Sequence, residues 1–230
     1  WPKPQRVKDV LAESLELPVF GSGRTTGTQG IDYISLAREK AAGLFHADAK
    51  QIVFTHSATD SLNIIISGFL KKNRGCHAVA TALDHNCVLR PLHEFQRDGM
   101  LRFDIADFAG GYVSPDTISS LIRKDTKFAV MTHASNVLGS VQDVRAVADI
   151  LADKDIFFIV DGAQTAPHRK VDVEALGADY YIFSGHKMLG PTGTGVLWMR
   201  EENLEPLFLG GGMVESVSDD SFVPASGYAK

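Results

Sequence analysis

The stretch IFFIVDGAQTA, residues 156–166, places five apolar residues in a row directly before Asp161 and a short polar turn. A strand that helices cover on both faces is apolar throughout, whereas a half-exposed strand alternates apolar and polar residues. The stretch therefore predicts a buried strand over Ile156–Asp161 that ends in a carboxylate. Short apolar runs of this kind alternate with amphipathic stretches along the chain, and this pattern predicts βα units in an α/β fold.

The same pattern predicts a sheet of seven strands, mostly parallel, between helices. The other predicted strands are Gln51–Thr55, Ala78–Leu83, Leu101–Ile105, Lys127–Thr132, Tyr180–Phe183 and Gly195–Met199. The predicted helices are Ile34–Phe45, Thr59–Leu70, Val88–Arg97, Pro115–Arg123 and Val144–Ala152. Ser114 before Pro115, and Asp143 before the last helix, are predicted N-caps.

Both ends of the chain are expected to be cut from a longer protein. The prolines at positions 2 and 4 predict a loop that enters a helix, and residues 217–230 are expected to stop in a loop without a closing element. We therefore treat residues 1–230 as one domain of a larger protein, some of whose functional residues lie elsewhere.

Composition excludes several classes of function. The chain has 230 residues, of which 44% are apolar and 22% charged, and a formal net charge of −5. No basic block indicates a nucleic-acid surface, and no apolar run approaches the roughly 20 residues that span a bilayer. No signal peptide is evident, and two cysteines cannot form a disulfide framework, so a cytoplasmic location is expected. No metal site is expected either.

Ligands of open α/β sheets bind at the carboxyl ends of the strands, so the residues directly after each strand are the candidates. After the first strand, Ser57 and Asp60 have the spacing of a capping box. The amides of Ala58 and Thr59 at this helix N-terminus are candidates for binding an anion. The alternative is that Ser57 only caps the helix.

Two further strands end in polar side chains that suit a ligand. His85 follows one strand and could stack on a flat ligand or move a proton, or simply bond nearby backbone. Asn136 follows another strand and could bond a ligand oxygen, or serve as a turn residue. Cys87 is more typical of a small buried hydrophobic residue than of a nucleophile.

The carboxylate of Asp161 must be paired if it is buried, so it calls for a cationic partner, and Gln164 lies three residues beyond it. The segment FSGHKMLGPTGTG, residues 183–195, then places Lys187 among small residues. Ser184 and His186 can donate to an anion beside it. We expect Lys187 to be buried and to act as an amine nucleophile.

One ligand has groups for all of these side chains. Pyridoxal phosphate has a phosphate, a flat ring, a phenolic oxygen, a ring nitrogen that becomes cationic and an aldehyde for an amine. The sequence therefore predicts a pyridoxal phosphate site at the carboxyl edge of the sheet.

In its motifs the chain resembles the class V aminotransferase family of fold-type I enzymes, and within it the cysteine desulfurases. The similarity covers nearly the whole chain and rests on ATDSLN, DHNCVLRP, THASNVLG, VDGAQT and FSGHKMLGPTGTG in family order. The resemblance implies that Lys187 forms the Schiff base, that Asp161 pairs with the ring nitrogen and that His85 stacks on the ring. It implies further cofactor ligands: Asn136 and Gln164 for the phenolic oxygen, and Ala58, Thr59, Ser184 and His186 for the phosphate.

The resemblance also implies an activity. The parent protein would take sulfur from L-cysteine, leaving alanine and an enzyme persulfide, and would be a homodimer that passes sulfur to an acceptor protein. The family's persulfide cysteine, its carboxylate-binding arginine and its small C-terminal domain lie downstream of Lys230, and neither Cys76 nor Cys87 matches that cysteine. A selenocysteine lyase, another class V enzyme, or a silent scaffold or sulfur-transfer partner that keeps the fold therefore stay open.

Overall fold

The computed structural model describes residues 2–16, 33–201, 204–205, 207, 214–218 and 222–224. The helices are α1 (Gln5–Ser14), α2 (Tyr33–Phe45), α3 (Ala58–Lys72), α4 (Asn86–Arg97), α5 (Pro115–Leu121), α6 (Val144–Leu151) and α7 (Val173–Leu176). The strands are β1 (Ile52–Thr55), β2 (Cys76–Thr81), β3 (Leu101–Ala106), β4 (Thr126–Thr132), β5 (Phe157–Asp161), β6 (Tyr180–Ser184), β7 (Gly195–Met199), β8 (Val214–Val217) and β9 (Phe222–Pro224).

Seven strands form one sheet in the order β1-β7-β6-β5-β4-β2-β3. The pairs from β3 through β2, β4 and β5 to β6 are parallel, whereas β7 is antiparallel to both β6 and β1. The predicted mostly parallel seven-stranded sheet is confirmed. Because β7 is antiparallel to both of its neighbours, β1 runs in the same direction as β6. The carboxyl ends of six strands, all except β7, therefore lie at one edge of the sheet.

The central strands are buried because their apolar side chains pack into hydrophobic clusters on both faces of the sheet. Val130 and Ile159 pack in one hydrophobic cluster, and their chain neighbours Met131 and Val160 pack in the other. This alternation follows from the two-residue repeat of a strand. It explains why β5 is apolar from end to end, as residues 156–161 predict.

The predicted helix starts are confirmed by their hydrogen bonds. The Ser114 hydroxyl accepts the N–H of Asp116 at 3.2 Å, and the Asp143 carboxylate accepts the N–H of Ala146 at 3.0 Å. All seven predicted strands and five predicted helices are present, with boundaries that move by a few residues at most. α1 begins directly after Pro4, where the prolines predict the entry to a helix.

One expectation about the chain end is wrong. Within residues 217–230, which were expected to lie in a loop, Phe222–Pro224 forms β9 and pairs antiparallel with β8. The short helix α7 is also absent from the sequence prediction, because four residues are too few to show a helical repeat. Among the described residues, no helix is both long and apolar enough to cross a bilayer.

Candidate functional site

The fold brings every predicted site residue to one edge of the sheet. His85 follows β2, Asn136 follows β4, Asp161 ends β5, and Ser184 ends β6. Ala58 and Thr59 open α3 after β1, which runs parallel to β6. The carboxyl edge therefore gathers residues that lie far apart along the chain, as the rule for open α/β sheets predicts.

Ser184 links the end of β6 to the start of α3, two parts of this edge that were predicted to bind the same anion. Its hydroxyl oxygen accepts the N–H of Ala58 at 2.9 Å, in a buried contact. Because the oxygen acts as acceptor here, the O–H proton stays available to donate. The end of β6 and the N-terminus of α3 thus meet at one point, where a hydroxyl donor and a helix dipole face the same space.

The N-terminus of α3 carries most of the capping arrangement that the sequence predicts. The Ser57 hydroxyl accepts the N–H of Asp60 at 3.1 Å, which satisfies one free donor of the first turn. The Asp60 carboxylate accepts the N–H of His56 at 3.0 Å rather than that of Ser57. Capping by Ser57 is therefore confirmed, and the reciprocal bond is displaced by one residue.

Gly195 allows β7 to lie directly against this helix start. A Cβ atom on Gly195 would lie 2.6 Å from the Cα of Ser57 and 2.5 Å from the Oγ1 of Thr55. Any other residue at this position would push β7 away from the cap. The last glycine of the motif FSGHKMLGPTGTG thus serves packing behind the site.

Asp161 is buried at the end of β5, with 4% of its surface exposed. Its Oδ1 accepts the N–H of Ala163 at 2.9 Å. Burial raises the pKa of this carboxyl, while the Ala163 hydrogen bond and the charges of Lys187 and His85 lower it. A buried carboxylate with only one backbone donor among the described residues is suited to hold a further cationic group.

His85 is the N-cap of α4, and its ring orientation is set by the backbone. Its Nδ1 accepts the N–H of Cys87 at 3.2 Å, which leaves the ring proton on Nε2. The imidazole is exposed and lines a cavity of about 510 Å³ together with Thr59, Cys87 and Arg90. An exposed ring held at its base can present a face or a proton to a ligand in that cavity.

Cys87 lies in the same cavity, but its thiol is poorly suited to act as a nucleophile. Burial raises the pKa of the thiol to about 12, with a contribution from the charge of Asp161, against a hydrogen bond from the Thr59 side chain and the charge of Lys187. The thiolate is the reactive form, so this cysteine is unreactive near neutral pH. The sequence expectation that Cys87 is not the nucleophile agrees with this environment.

Asn136 and Gln164 line one cavity of about 280 Å³, with Thr165, His168 and Arg169 on its wall. Asn136 is exposed and Gln164 is half-buried. Their amides come from the loops after β4 and β5, two neighbouring strands. The pairing of these two residues, which the sequence assigned to one ligand oxygen, is consistent with their shared cavity.

Lys187 and His186 lie in a 3₁₀ turn at Gly185–Met188, directly after β6. The expectation that Lys187 is buried is wrong, because its side chain is exposed. The turn follows β6 at the carboxyl edge of the sheet, and the side chains of His186 and Lys187 are both exposed there. The charge of Lys187 nevertheless contributes to lowering the pKa of both Asp161 and Cys87, so the lysine lies at the same edge of the sheet as these two groups.

Sequence reasoning missed Asp84, a buried carboxylate directly before His85. Its Oδ2 accepts the N–H of Thr81 at 2.7 Å, and its Oδ1 accepts the N–H of Thr132 at 2.6 Å. The signal was available, because Asp84 is an acidic residue just beyond an apolar strand, as Asp161 is. The more conspicuous histidine beside it drew the functional interpretation instead.

A buried pair behind Asp161 was also missed. The Nδ1 of His133 lies 3.2 Å from the hydroxyl of Tyr181, and both side chains are buried. The N–H of His133 donates to the backbone oxygen of Asp161 at 2.8 Å. Nothing in the sequence indicates this pair, because His133 directly follows β4 and Tyr181 lies on β6, far away along the chain.

A model of the family described as Aminotransferase class-V matches residues 2–227. The chain belongs to the class V aminotransferase family. The family assignment therefore agrees with the resemblance that the motifs carry.

Curated relatives include a probable cysteine desulfurase of Methanothermobacter thermautotrophicus, 40% identical over 192 residues, which are 81% of this chain and 48% of that protein. Another is a probable cysteine desulfurase of Borreliella burgdorferi, 34% identical over 227 residues, 93% of this chain and 54% of that protein. The chain thus spans about half the length of the curated relatives that it matches.

Solved structures show the same fold. An apo cysteine desulfurase from Thermococcus onnurineus superposes with a TM-score of 0.85 at 31% identity, covering 96% of this chain and 57% of that one. A protein named SspA, solved in complex with cysteine, superposes with a TM-score of 0.79 at 29% identity, covering 91% and 62%. The α/β architecture of this class V chain is therefore that of the cysteine desulfurases.

Proposed function

We propose that this chain forms the pyridoxal phosphate-binding large domain of a cysteine desulfurase. The parent enzyme would convert L-cysteine and a protein thiol into alanine and a persulfide on that thiol. The observation that carries the proposal is the placement of Asp161 and Lys187: the buried carboxylate ends β5, and the amine lies in the turn directly after the neighbouring strand β6. Relatives named cysteine desulfurase support the choice of reaction.

The residues present fit this cofactor. Asp161 is buried with its pKa raised by burial, and a cationic ring nitrogen would compensate for the desolvation of its charge. Ser184 keeps a free O–H donor beside the first turn of α3, which suits a phosphate. Asn136 and Gln164 share a cavity that can receive a phenolic oxygen.

Each side chain then has a role. Lys187 would hold the cofactor's aldehyde, and its amine, when it is not bound there, would accept the α-proton of the amino acid. His85 would lie on the ring and assist proton movement through Nε2. Ser184, His186, Thr59 and the N-terminus of α3 would hold the phosphate, with Ala58 acting through its bond to Ser184.

The cofactor supplies a carbonyl for amines and a ring that withdraws electrons from the α-carbon. The protein's contribution is orientation and charge. Asp161 would keep the ring nitrogen protonated, and that proton is what makes the ring an effective electron acceptor. The proposal further includes a thiol of the parent protein that receives the sulfur, a homodimeric assembly, a protein that accepts the sulfur and a cytoplasmic location. These parts of the proposal rest on the resemblance to the family.

The test is chemical labelling of the lysine. The purified chain is mixed with pyridoxal phosphate, examined for a visible absorption band, reduced with borohydride and mapped by mass spectrometry. The modification is expected on Lys187, and Lys187→Ala should abolish the band. Lys170→Ala replaces an exposed lysine on the loop after β5 and should leave the band intact. Labelling that persists undiminished in Lys187→Ala would reject the assignment.

The reaction itself is tested with the full-length protein. Alanine should form from L-cysteine in the presence of a thiol reductant. Turnover of selenocysteine with no turnover of cysteine would identify a selenocysteine lyase, and binding of the cofactor without turnover of either would identify a silent scaffold.

A further inference from the structure

The order in which successive strands are added to the sheet reverses between β2 and β4. From β2 the chain continues to β3 on one side, and from β4 it continues to β5 on the other. Such a switch point opens a crevice in which α/β proteins bind their ligands. The pairing between β2 and β4 reaches its last register pair at Val79 and Ala129, before either strand ends.

Asp84 fills the gap that this divergence leaves. One carboxylate oxygen accepts the N–H of Thr81, the last residue of β2, and the other accepts the N–H of Thr132, the last residue of β4. The side chain is 7% exposed. A single carboxylate thus replaces the missing ladder bonds and fixes the width of the crevice.

Both strand ends that Asp84 joins lead directly to predicted ring contacts. His85 is the next residue after Asp84, and its ring is held by the N–H of Cys87. Thr132 pairs in register with Asp161 on β5. A shift of the Asp84 carboxylate would therefore change the position of His85 relative to Asp161.

The electrostatics place Asp84 close to the site. Burial raises the pKa of Asp84 to about 7, the hydrogen bonds to Thr81 and Thr132 lower it, and the charge of Asp161 raises it further. Thr132 donates to Asp84 and pairs in register with Asp161, so the two buried carboxylates lie at adjoining strand ends. Burial of a carboxylate costs free energy, and the hydrogen bonds that the two oxygens of Asp84 accept offset this cost.

We infer that Asp84 is a positioning residue, which clamps β2 to β4 at the switch point and so holds His85 and Asp161 on opposite sides of the ring-binding space. The inference rests on the proposed pyridoxal phosphate site for its consequence, although the clamp is a property of the chain alone. Asp84 does not itself contact the ring.

The test compares Asp84→Asn with Asp179→Asn. An asparagine at position 84 turns one acceptor into an N–H₂ donor that faces a backbone N–H, so one arm of the clamp is lost. Asp179 is a matched control, because its carboxylate accepts the N–H of Phe158 at 2.8 Å at the amino end of β5, on the opposite edge of the sheet.

Two quantities are measured on each variant: the Kd for pyridoxal phosphate, and the NMR signals of the His85 ring in the cofactor-free chain. Asp84→Asn is expected to raise the Kd at least tenfold and to shift the His85 signals, since small displacements of positioned groups have large effects. Asp179→Asn is expected to lower stability to urea while leaving both readouts unchanged. Equal effects of the two variants on Kd would show a merely structural role and overturn the inference.

The experiment also separates this inference from the proposed function. If the wild-type chain binds no pyridoxal phosphate, the proposed function fails, and unchanged His85 signals in Asp84→Asn then overturn the clamp as well. If Asp84→Asn does not fold, amide exchange in the wild-type chain decides. The Thr81 and Thr132 amides are expected to be protected from exchange, and rapid exchange of both would overturn the clamp.

Discussion

The hydroxyl of Ser184 accepts a hydrogen bond of 2.9 Å from the backbone N–H of Ala58, which joins the end of β6 to the first residue of α3. One residue thus connects the lysine-bearing turn to the helix N-terminus that suits a phosphate. The contact is buried, so its loss is expected to lower stability and, at the proposed cofactor site, to weaken phosphate binding.

Replacing Ser184 by alanine leaves the buried N–H of Ala58 without this acceptor and removes a donor to the phosphate. We expect a loss of about 1–3 kcal/mol in the free energy of unfolding. The Kd for pyridoxal phosphate should rise about tenfold or more, measured by titration of the cofactor's absorption. Ser114→Ala, at the N-cap of α5, is the control: it should lower stability by about 1 kcal/mol and leave the Kd unchanged. A normal Kd in Ser184→Ala would remove Ser184 from the phosphate site.

Replacing Asp161 by asparagine removes the charge that would keep the ring nitrogen protonated. The borohydride-fixed cofactor on Lys187 should still be found, because asparagine has nearly the same shape. Alanine formation by the full-length protein should fall about a hundredfold or more, since electrostatic stabilisation in a buried site has effects of this size. Turnover at the wild-type rate would contradict the role of Asp161.

The raised pKa of the Cys87 thiol predicts slow alkylation. At a pKa of about 12, the thiolate fraction at pH 8 is about three orders of magnitude lower than for a free cysteine. Cys76 is buried and its pKa is also raised by burial, so it offers no competing reactive site. Mass spectrometry after iodoacetamide treatment should find both thiols largely unmodified under conditions that alkylate glutathione. Rapid labelling of Cys87 would make it a candidate nucleophile after all.

Local sequence signals were sufficient for the seven strands of the large sheet and for placing the candidate site residues at its carboxyl edge. Apolar runs gave β5 and β6, and the polar residues directly after them gave Asp161 and Ser184. The clamp by Asp84 could not be predicted, because its partner Thr132 lies on a strand that becomes a neighbour only through the crossover topology. The exposure of Lys187 was missed because burial depends on what covers a turn, and the small residues around it indicate only that the turn is tight.

β9 shows a different limit. It has three residues, one of them proline, and forms because β8 offers an antiparallel partner. A segment this short carries no alternation that could distinguish a strand from a loop. Pairing between segments, which is a long-range property, decides such cases.

The environment of His133 predicts a pH-dependent stability. Burial lowers the pKa of His133 to about 4, with a contribution from the charge of Arg169, against 6.5 for the unperturbed group. A base whose folded pKa is lowered contributes stability above pH 6.5 and loses it as pH falls towards 4, because the unfolded chain then binds the proton first. The loss is on the order of 3 kcal/mol at pH 4.

Urea unfolding at several pH values measures this contribution. His133→Gln should show a smaller fall in the free energy of unfolding between pH 6.5 and pH 4 than the wild-type chain. His168→Gln, which changes an exposed histidine, should retain the wild-type slope. Identical slopes for the wild-type chain and His133→Gln would contradict the burial of a neutral His133.

Substitution of Gly162, directly after Asp161, and of Gly43 by alanine should change the free energy of unfolding in opposite directions. A Cβ atom at position 162 would lie 2.0 Å from the Cζ of Tyr181, whose ring cannot easily move because it is buried against His133. Gly162→Ala should therefore cost about 1–3 kcal/mol in the free energy of unfolding through overpacking. The shift of the loop should also raise the Kd for pyridoxal phosphate, because Asp161 and Gln164 lie on either side of Gly162.

Gly43 is the matched control in α2, since nothing lies within 4 Å of a Cβ atom built there. Gly43→Ala should stabilise the chain by about 0.5–1 kcal/mol, because alanine restricts the unfolded chain and favours a helix. The Kd should not change. If Gly162→Ala were as well tolerated as Gly43→Ala, the ring of Tyr181 would have to yield without cost, and the tight packing behind Asp161 would not exist in solution.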